Sequence, residues 1–169
     1  EYEQSVKLSP NNAQLWDEWA SVYMAVGDPD QALAQLEHSA ELDPQYAQTY
    51  LLLGDLHLSR QEWERAIEAY EKLLDLEPQS VPAWSSIGYA YSQLGQLEPA
   101  IEANRKILEV APEDYNTLKN LALLYGDLGK PEDAARYAQM ALKVAPEQDR
   151  AGLRQYIEAQ QALVAGAKP

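Results

Sequence analysis

A proline recurs every 34 residues along the chain, and this period constrains the fold more than any other feature. The prolines are Pro10, Pro44, Pro78, Pro112 and Pro146. Because proline makes up about 5% of average sequence, four further matches at this spacing arise by chance about once in a hundred thousand. A fixed period of roughly 20 to 50 residues is typical of stacked repeat units. The chain is therefore predicted to consist of consecutive copies of one supersecondary unit.

Other positions in the same 34-residue register also keep their residue type. Two columns of large, mostly apolar residues are Trp16, Tyr50, Trp84 and Leu118, then Trp19, Leu53, Ile87 and Leu121. Two columns of small residues are Ala20, Gly54, Gly88 and Ala122, then Ala32, Ala66, Ala100 and Ala134. A further column holds Tyr23, His57, Tyr91 and Tyr125. Small residues at fixed places predict close approach of neighbouring elements.

Within each unit the spacing of apolar residues is helical, and glycine and proline residues divide the unit into two helices. Apolar residues fall at i, i+3, i+4 and i+7, which is typical of an amphipathic helix. Gly27, Gly95 and Gly129 predict a turn after the first helix, and Gln61 is the exception in that column. The closing proline ends the second helix because it cannot donate a backbone hydrogen bond. We call the two helices of each unit the first helix and the second helix. The first helices are predicted at 13–26, 47–60, 81–94 and 115–128, each followed by a second helix.

Together these columns resemble the tetratricopeptide repeat family, whose 34-residue unit has an aromatic, a Gly or Ala, a Tyr, an Ala and a closing Pro. The resemblance implies an all-α fold class, a right-handed α–α superhelix. Its four full repeats would span 13–46, 47–80, 81–114 and 115–148, after a partial repeat at 1–12. A capping helix at 149–169 would follow, with an apolar side formed by Leu153, Tyr156, Ile157 and Leu163. The family motif is specific for this fold and carries little information about function.

The resemblance also implies where a partner would bind, because first helices line the concave face in this family. The positions that map to this groove are Gln14, Asp17, Ser21, Met24, Gln48, Leu51, Asp55, Leu58, Ser85, Tyr89, Ser92, Asn116, Lys119, Leu123 and Arg150. They form a mixed polar and apolar surface. Among the aromatic residues, Tyr89 is the best candidate for an exposed contact, because most of the others fall in packing columns.

Two anion-binding possibilities differ in their support. Members of the family that bind chaperones hold a peptide carboxylate with Lys and Asn in the first repeat, where this chain has Asp17 and Ser21. That activity is therefore not expected here. Asn116, Lys119, Asn120 and Arg150 could instead form a smaller anion site near the C-terminal end, although polar residues on a helix face are more often simply solvated.

Composition excludes several classes of function. The chain has 27 acidic and 13 basic residues and a net charge of -14, which argues against binding to phosphate backbones. The longest apolar runs are far shorter than the roughly 20 residues of a membrane-spanning helix. There is no cysteine, His38 and His57 lie without metal-ligand spacing, and no catalytic or phosphate-binding motif occurs. We expect this chain to have no enzymatic activity, cofactor, metal, nucleic-acid partner or membrane insertion, although a longer parent protein could carry an enzyme domain.

The sequence leaves three interpretations of the partner and the role of the chain open. The first is a scaffold that binds a protein or peptide in its groove. The second is a scaffolding tail of a bacterial membrane glycan-assembly protein, because 12–19 and 48–55 loosely resemble repeats of O-antigen ligase or polymerase-like proteins. The third is self-association through an open N-terminal end, where the sequence begins as though within a helix. The acidic second helices are interpreted as solvated outer faces, with steering of a basic partner as the alternative.

Overall fold

The computed structural model describes residues 4, 6 and 8–166 of the chain, and over these residues it is helical with no β-strand. The predicted all-α fold class is confirmed. Nine helices of ten or more residues lie in this part of the chain. They are α1 Ala13–Val26, α2 Pro29–Leu42, α3 Ala47–Ser59, α4 Trp63–Leu76, α5 Val81–Gln93, α6 Leu97–Val110, α7 Tyr115–Asp127, α8 Pro131–Val144 and α9 Glu147–Gly166.

The helices alternate as the 34-residue period predicts. The first helices α1, α3, α5 and α7 begin at the predicted residues, and the last three end one residue earlier than predicted. The capping helix begins at Glu147, two residues before the predicted start. The predicted partial repeat at 1–12 and the end of the cap include residues 1–3, 5, 7 and 167–169, which lie outside the described residues. The repeat boundaries themselves stay a prediction.

The chain divides into two compact units, Glu1–Ala90 and Tyr91–Pro169. We call them the N-terminal unit and the C-terminal unit and describe each separately. The N-terminal unit holds α1 to α4 and most of α5. The C-terminal unit holds the last three residues of α5 together with α6 to α9.

In the N-terminal unit, small residues allow helices to pack closely. Ala20, Ala32, Leu36 and Leu56 form a buried cluster, and both alanines are fully buried. Gly54 of α3 faces the fully buried ring of Tyr70 in α4. The predicted role of the small columns is confirmed at these positions, since a larger residue would occupy the neighbouring helix's space.

In the C-terminal unit, α9 completes a core that α7 and α8 leave open. Its Leu153 and Ile157 are buried against Leu118, Ala122, Ala138, Ala141 and Ala145. Leu163, predicted on the same apolar side, is instead 60% exposed. The reason is length: α9 has 20 residues and α7 has 13, so the last turns of α9 extend past the helix that it covers.

The carbonyl oxygen of the closing proline accepts a hydrogen bond that recurs with the 34-residue period. Six residues after the proline, the first large column supplies a donor to the proline carbonyl oxygen. The pairs are Trp16 Nε1 to Pro10 at 2.9 Å, Tyr50 Oη to Pro44 at 3.2 Å and Trp84 Nε1 to Pro78 at 3.0 Å. Leu118 in the fourth repeat has no donor. The bond explains why three of these four large residues carry an N–H or O–H group.

The turn after each first helix has the same left-handed residue. Gly27, Gly95 and Gly129 have φ of 80°, 70° and 70°, and Gln61 takes their place with φ of 59°. The next amide then donates to the carbonyl oxygen of the Tyr or His column, for example Glu62 N to His57 O at 2.9 Å. Gln61 adopts a conformation that costs little only for glycine.

Replacing Gln61 with glycine is therefore expected to stabilise the chain by about 0.5 to 1 kcal/mol, since relief of the left-handed strain exceeds the added freedom of the unfolded chain. Urea unfolding followed by circular dichroism measures the change. A Cβ atom added at Gly95 meets no atom within 4 Å, so the reverse substitution, Gly95→Gln, should destabilise by a similar amount. A less stable Gln61→Gly variant would contradict this account of the turn.

Candidate functional site

The predicted groove positions of the N-terminal unit are mostly accessible. Six of the ten are exposed: Gln14, Ser21, Gln48, Asp55, Ser85 and Tyr89. Met24, Leu51 and Leu58 are half-buried, and Asp17 is buried. Nine of these positions therefore present some surface to solvent, and the tenth does not.

Several of the polar groups among them already have partners within the chain. Gln14 donates to the Glu18 carboxylate at 3.0 Å, and the Ser21 hydroxyl donates to the Asp17 carbonyl oxygen at 2.9 Å. The Tyr70 hydroxyl donates to the Asp55 carboxylate at 2.6 Å. Burial and this carboxylate raise the pKa of Tyr70, so its hydroxyl stays a donor. The apolar positions are left as the more available part of this surface.

Asp17 is a correction to the predicted groove. Its side chain is only 3% exposed, and the Thr49 hydroxyl of α3 donates to its carboxylate at 3.0 Å. Thr49 in turn lies 3.0 Å from the Ser39 hydroxyl of α2, which donates to the Ala13 carbonyl oxygen at 3.0 Å. The carboxylate therefore joins three helices and is not available to a partner.

This buried network of Asp17, Thr49, Ser39 and the Ala13 carbonyl has three contacts, but its two hydroxyl groups supply only two protons. With Thr49 donating to Asp17 and Ser39 donating to Ala13, the contact between the two hydroxyl groups has no proton of its own. Burial, the largest cause, raises the pKa of Asp17, and hydrogen bonds from Ser39 and Thr49 partly oppose it. An uncharged side chain is thus the better fit at this position.

Asp17→Asn is expected to stabilise the chain by about 1 kcal/mol at pH 7, since its amide donates to Thr49 without a buried charge. A pKa raised on folding gives stability that is complete below the ordinary value of 3.8 and is lost as pH rises through the native pKa. The advantage of the variant should therefore grow with pH and vanish below about pH 4. Urea unfolding from pH 3.5 to 8 measures it. An advantage that is largest in acid would contradict the network.

Tyr89 of α5 is the one aromatic residue among the fifteen predicted groove positions. Its side chain is 52% exposed, and its ring meets Trp63 of α4 edge to face at a centroid distance of 5.8 Å and an angle of 84°. This contact fixes the ring on one side and leaves the other side open. Aromatic rings held in this way are common anchors in protein interfaces because little conformational freedom is lost on binding.

The C-terminal unit contains a cleft of about 280 Å³ between α7 and α9. The residues that line it are Tyr115, Lys119, Ala122, Leu123, Gln148, Asp149, Gly152, Leu153 and Tyr156. We call this the α7–α9 cleft. Its apolar surface includes Leu123, which is 45% exposed, and the otherwise buried Leu153. The cleft brings the predicted positions Lys119 and Leu123 together.

Two tyrosines hold the walls of the cleft in place. The Tyr115 hydroxyl of α7 donates to the Asp149 carboxylate of α9 at 2.7 Å, and the Tyr156 hydroxyl of α9 donates to the Ala122 carbonyl oxygen at 2.8 Å. Burial and Asp149 raise the pKa of Tyr115 to about 12, so it remains a donor at neutral pH. Lys119 Nζ lies 5.8 Å from the centre of the Tyr115 ring.

The predicted anion site is not assembled around the cleft. Of its four residues, only Lys119 is part of the lining. Arg150 donates from Nε to the Ala145 carbonyl oxygen at 3.1 Å and pairs with Glu147 at 3.1 Å. Asn116 and Asn120 are exposed on α7. Half-buried Ser92, the remaining predicted position, lies in the part of α5 that belongs to the C-terminal unit.

Sequence reasoning missed most of the cleft walls, although the period contained a signal for them. Asp149 lies 34 residues after Tyr115, and Tyr156 lies 34 residues after Ala122. The capping helix therefore continues the register of the first helices. Arg150 was the α9 residue in the predicted groove, and extending Lys119 by one more period would have added Leu153 of the cleft wall.

Within residues 4, 6 and 8–166, no group of three or more His, Asp or Glu side chains is arranged to hold a metal ion. None of the described helices is both long enough and apolar enough to span a bilayer.

Comparison with known families identifies the repeat. Sequence profiles described as tetratricopeptide repeat match residues 18–81, 51–115 and 116–145. The chain belongs to the tetratricopeptide repeat family. Tetratricopeptide repeat proteins are protein-interaction scaffolds.

Solved structures of other tetratricopeptide repeat proteins share the fold. MamA is 27% identical with a TM-score of 0.77, over 84% of this chain and 83% of MamA. YrrB, described as a TPR protein with an unusual peptide-binding site, is 16% identical with a TM-score of 0.80, over 99% of this chain and 85% of YrrB. MamA 41-end from Desulfovibrio magneticus RS-1 is 18% identical with a TM-score of 0.72, over 93% and 97%.

No curated protein sequence is significantly similar to this tetratricopeptide repeat chain. The profile and structural matches described above give no support to the looser resemblance to O-antigen ligase or polymerase-like proteins. A role as the tail of a membrane glycan-assembly protein therefore stays a prediction.

Proposed function

We propose that the chain binds an extended or helical segment of another protein through side chains of its first helices. The observation that carries this proposal is the exposure of large apolar residues at positions mapped from the family, above all Tyr89 and Leu123. An exposed aromatic or aliphatic side chain held by its neighbours is typical of a binding anchor. Single exposed apolar residues are common on protein surfaces, so their place at the mapped positions is what supports the proposal.

The proposed surface has two parts, one on each unit. In the N-terminal unit the apolar residues Met24, Leu51, Leu58 and Tyr89 supply contact area, and Gln48 and Ser85 supply polar groups. In the C-terminal unit the surface is the α7–α9 cleft, with Ser92, Asn116 and Arg150 as further predicted contacts. Asp17 is left out because its carboxylate is buried. The peptide-binding site named for YrrB supports the proposal as an example of this fold in the same role.

The mixed character of this surface favours a protein ligand over the other classes. Interfaces between proteins combine apolar anchors with polar groups at the rim. Nucleic acid would need clustered Lys and Arg, and the chain has a net charge of -14. A function by binding also fits the carboxylates, most of which lie exposed on helix surfaces without the opposed environments that acid–base catalysis requires.

A matched pair of double variants tests the proposal. The first-helix variant carries Tyr89→Asp and Leu123→Asp, which place two charges on first helices. The second-helix variant carries Val110→Asp and Met140→Asp, which place two charges at exposed apolar residues of second helices. Each protein is immobilised and exposed to lysate of cells that make it, and captured proteins are quantified by mass spectrometry. We expect the wild type and the second-helix variant to capture the same partners and the first-helix variant to lose them.

Two results would contradict the proposed function. The first is capture of no protein above the level seen with an unrelated helical protein. The second is loss of partners from the second-helix variant while the first-helix variant keeps them. Circular dichroism of both variants shows whether the helices remain formed.

Self-association is a second candidate, favoured by exposed Val22 and Val26 at successive turns of α1 and by exposed Leu8. An apolar strip at the N-terminal end could pack against another copy. Light scattering over a concentration series would show growth in mass that Val22→Asp with Val26→Asp abolishes. A constant monomer mass would remove this candidate.

A further inference from the structure

The α7–α9 cleft combines an apolar wall with a cation that the chain does not neutralise. Lys119 is exposed, and among the described residues it forms no ion pair; its Nζ lies 5.8 Å from the centre of the Tyr115 ring. Arg105, Arg136 and Arg150 in the same unit each pair with a carboxylate one turn away. Lys119 is the basic residue in the lining of the cleft. Lys119 is therefore available to an acidic group on a ligand.

Gly152 in the middle of α9 has no packing reason to be glycine. A Cβ atom built there would meet nothing within 4 Å, whereas Gly54 and Gly126 each face a tyrosine side chain. Glycine in a helix interior costs about 1 kcal/mol relative to alanine. Because Gly152 lines the cleft, its missing side chain leaves the opening wide enough for a ligand to approach the backbone of α9.

The size of the cleft limits what it can hold. Its volume of about 280 Å³ lies just below the roughly 300 to 1,000 Å³ of small-molecule sites. One or two side chains of a peptide fit this space better than a whole cofactor does. Leu123, Leu153 and the Tyr156 ring offer the apolar contact for such a side chain.

The net charge of the C-terminal unit opposes an acidic ligand much less than that of the N-terminal unit does. Residues 91–169 contain 11 acidic and 9 basic side chains, a net of -2, whereas residues 1–90 contain 16 and 4, a net of -12. Long-range repulsion of an acidic peptide is therefore weak at the C-terminal unit. Asp149 in the cleft already accepts a hydrogen bond from Tyr115.

We propose that the α7–α9 cleft binds a peptide that inserts one leucine- to phenylalanine-sized side chain against Leu123, Leu153 and Tyr156 and pairs a nearby Asp or Glu with Lys119. This inference rests on the proposed function, because it names the chemistry of the segment that one part of the surface recognises. The apolar side chain supplies affinity, and the ion pair selects the sequence next to it.

The probe is a library of random 12-residue peptides displayed on phage and selected on the wild-type chain. Enriched peptides are synthesised, and their Kd values are measured by fluorescence polarisation. We expect a shared large apolar residue with an acidic residue within four positions. Gly152→Leu should raise the Kd at least tenfold by filling the cleft, without lowering the Tm, since its side chain meets no protein atom at Cβ.

A charge exchange tests the ion pair separately. Lys119→Glu should raise the Kd of the enriched peptides at least fivefold. A peptide with Lys in place of its acidic residue should bind Lys119→Glu better than it binds the wild type. Met140→Asp, on the second helix α8, is the control and should leave the Kd unchanged.

The outcomes separate this inference from the proposed function. Enriched peptides that bind the Gly152→Leu variant but not the Tyr89→Asp variant would overturn this inference. That result would still agree with the proposed function, in which the first helices bind the partner. Basic consensus sequences, or no rescue by the charge exchange, would also overturn it. Absence of any enriched peptide would count against the proposed function and the inference together.

Discussion

Replacing Gly54 with leucine is expected to destabilise the N-terminal unit by more than about 3 kcal/mol, because overpacking of a closed core forces side chains and backbone apart. Even the first added atom, Cβ, would lie 2.5 Å from Cε1 of Tyr70. Tyr70 cannot move away easily, since it is fully buried and its hydroxyl is held by Asp55 at 2.6 Å. Helices α3 and α4 would have to separate.

The matched control is the same substitution at Gly152, which is also inside a helix. There the new Cβ has nothing within 4 Å, and leucine is the better helix former by up to about 1 kcal/mol. Urea unfolding followed by circular dichroism compares the two variants with the wild type. Equal stability of Gly54→Leu and the wild type would mean that α3 and α4 do not pack through this glycine.

Placing aspartates at Leu153 and Ile157 is expected to detach the capping helix from the C-terminal unit. Both side chains are buried against α7 and α8, and each replacement removes about 1.5 to 3 kcal/mol of apolar burial. An unpaired charge in the same place adds a further cost. The combined loss, more than about 4 kcal/mol, is a large share of the stability of a small helical unit.

Hydrogen exchange measured by mass spectrometry locates this effect. We expect α7, α8 and α9 to lose protection while α1 to α4 keep theirs, because the stability of repeat proteins is close to a sum of local terms. Leu163→Asp, a change of the same type at an exposed residue of α9, should alter neither region. Loss of protection along the whole chain would contradict stabilisation by neighbouring helices.

The sequence predicted the helices well because each of them is specified several times. The prolines, glycines and small columns recur every 34 residues, so an irregular position such as Gln61 does not obscure the pattern. Helix starts at 13, 47, 81 and 115 were predicted correctly for this reason. Burial of the alanine column follows from the same repetition.

The binding surface was less predictable because it depends on contacts that do not repeat. Asp17 maps to a groove position, but its environment is determined by hydroxyl groups on α2 and α3. These belong to Ser39 and Thr49, whose positions were not among the columns used for prediction. The α7–α9 cleft depends on how the side chains of the cap pack on the last repeat, and the cap keeps the 34-residue register without repeating the residue types of the columns. Exposure of Leu163 has the same origin, since the cap is longer than the helix it covers.

The central claim is that partner contacts lie on the first helices. Site-specific photocrosslinking tests it most directly, with benzoylphenylalanine in place of Tyr89 or Leu123 on first helices and in place of Val110 or Met140 on second helices. All four positions are exposed and apolar, so the probe perturbs each to a similar degree. The account predicts partner adducts from Tyr89 or Leu123 and none from Val110 and Met140. Adducts from the second-helix positions alone would contradict it.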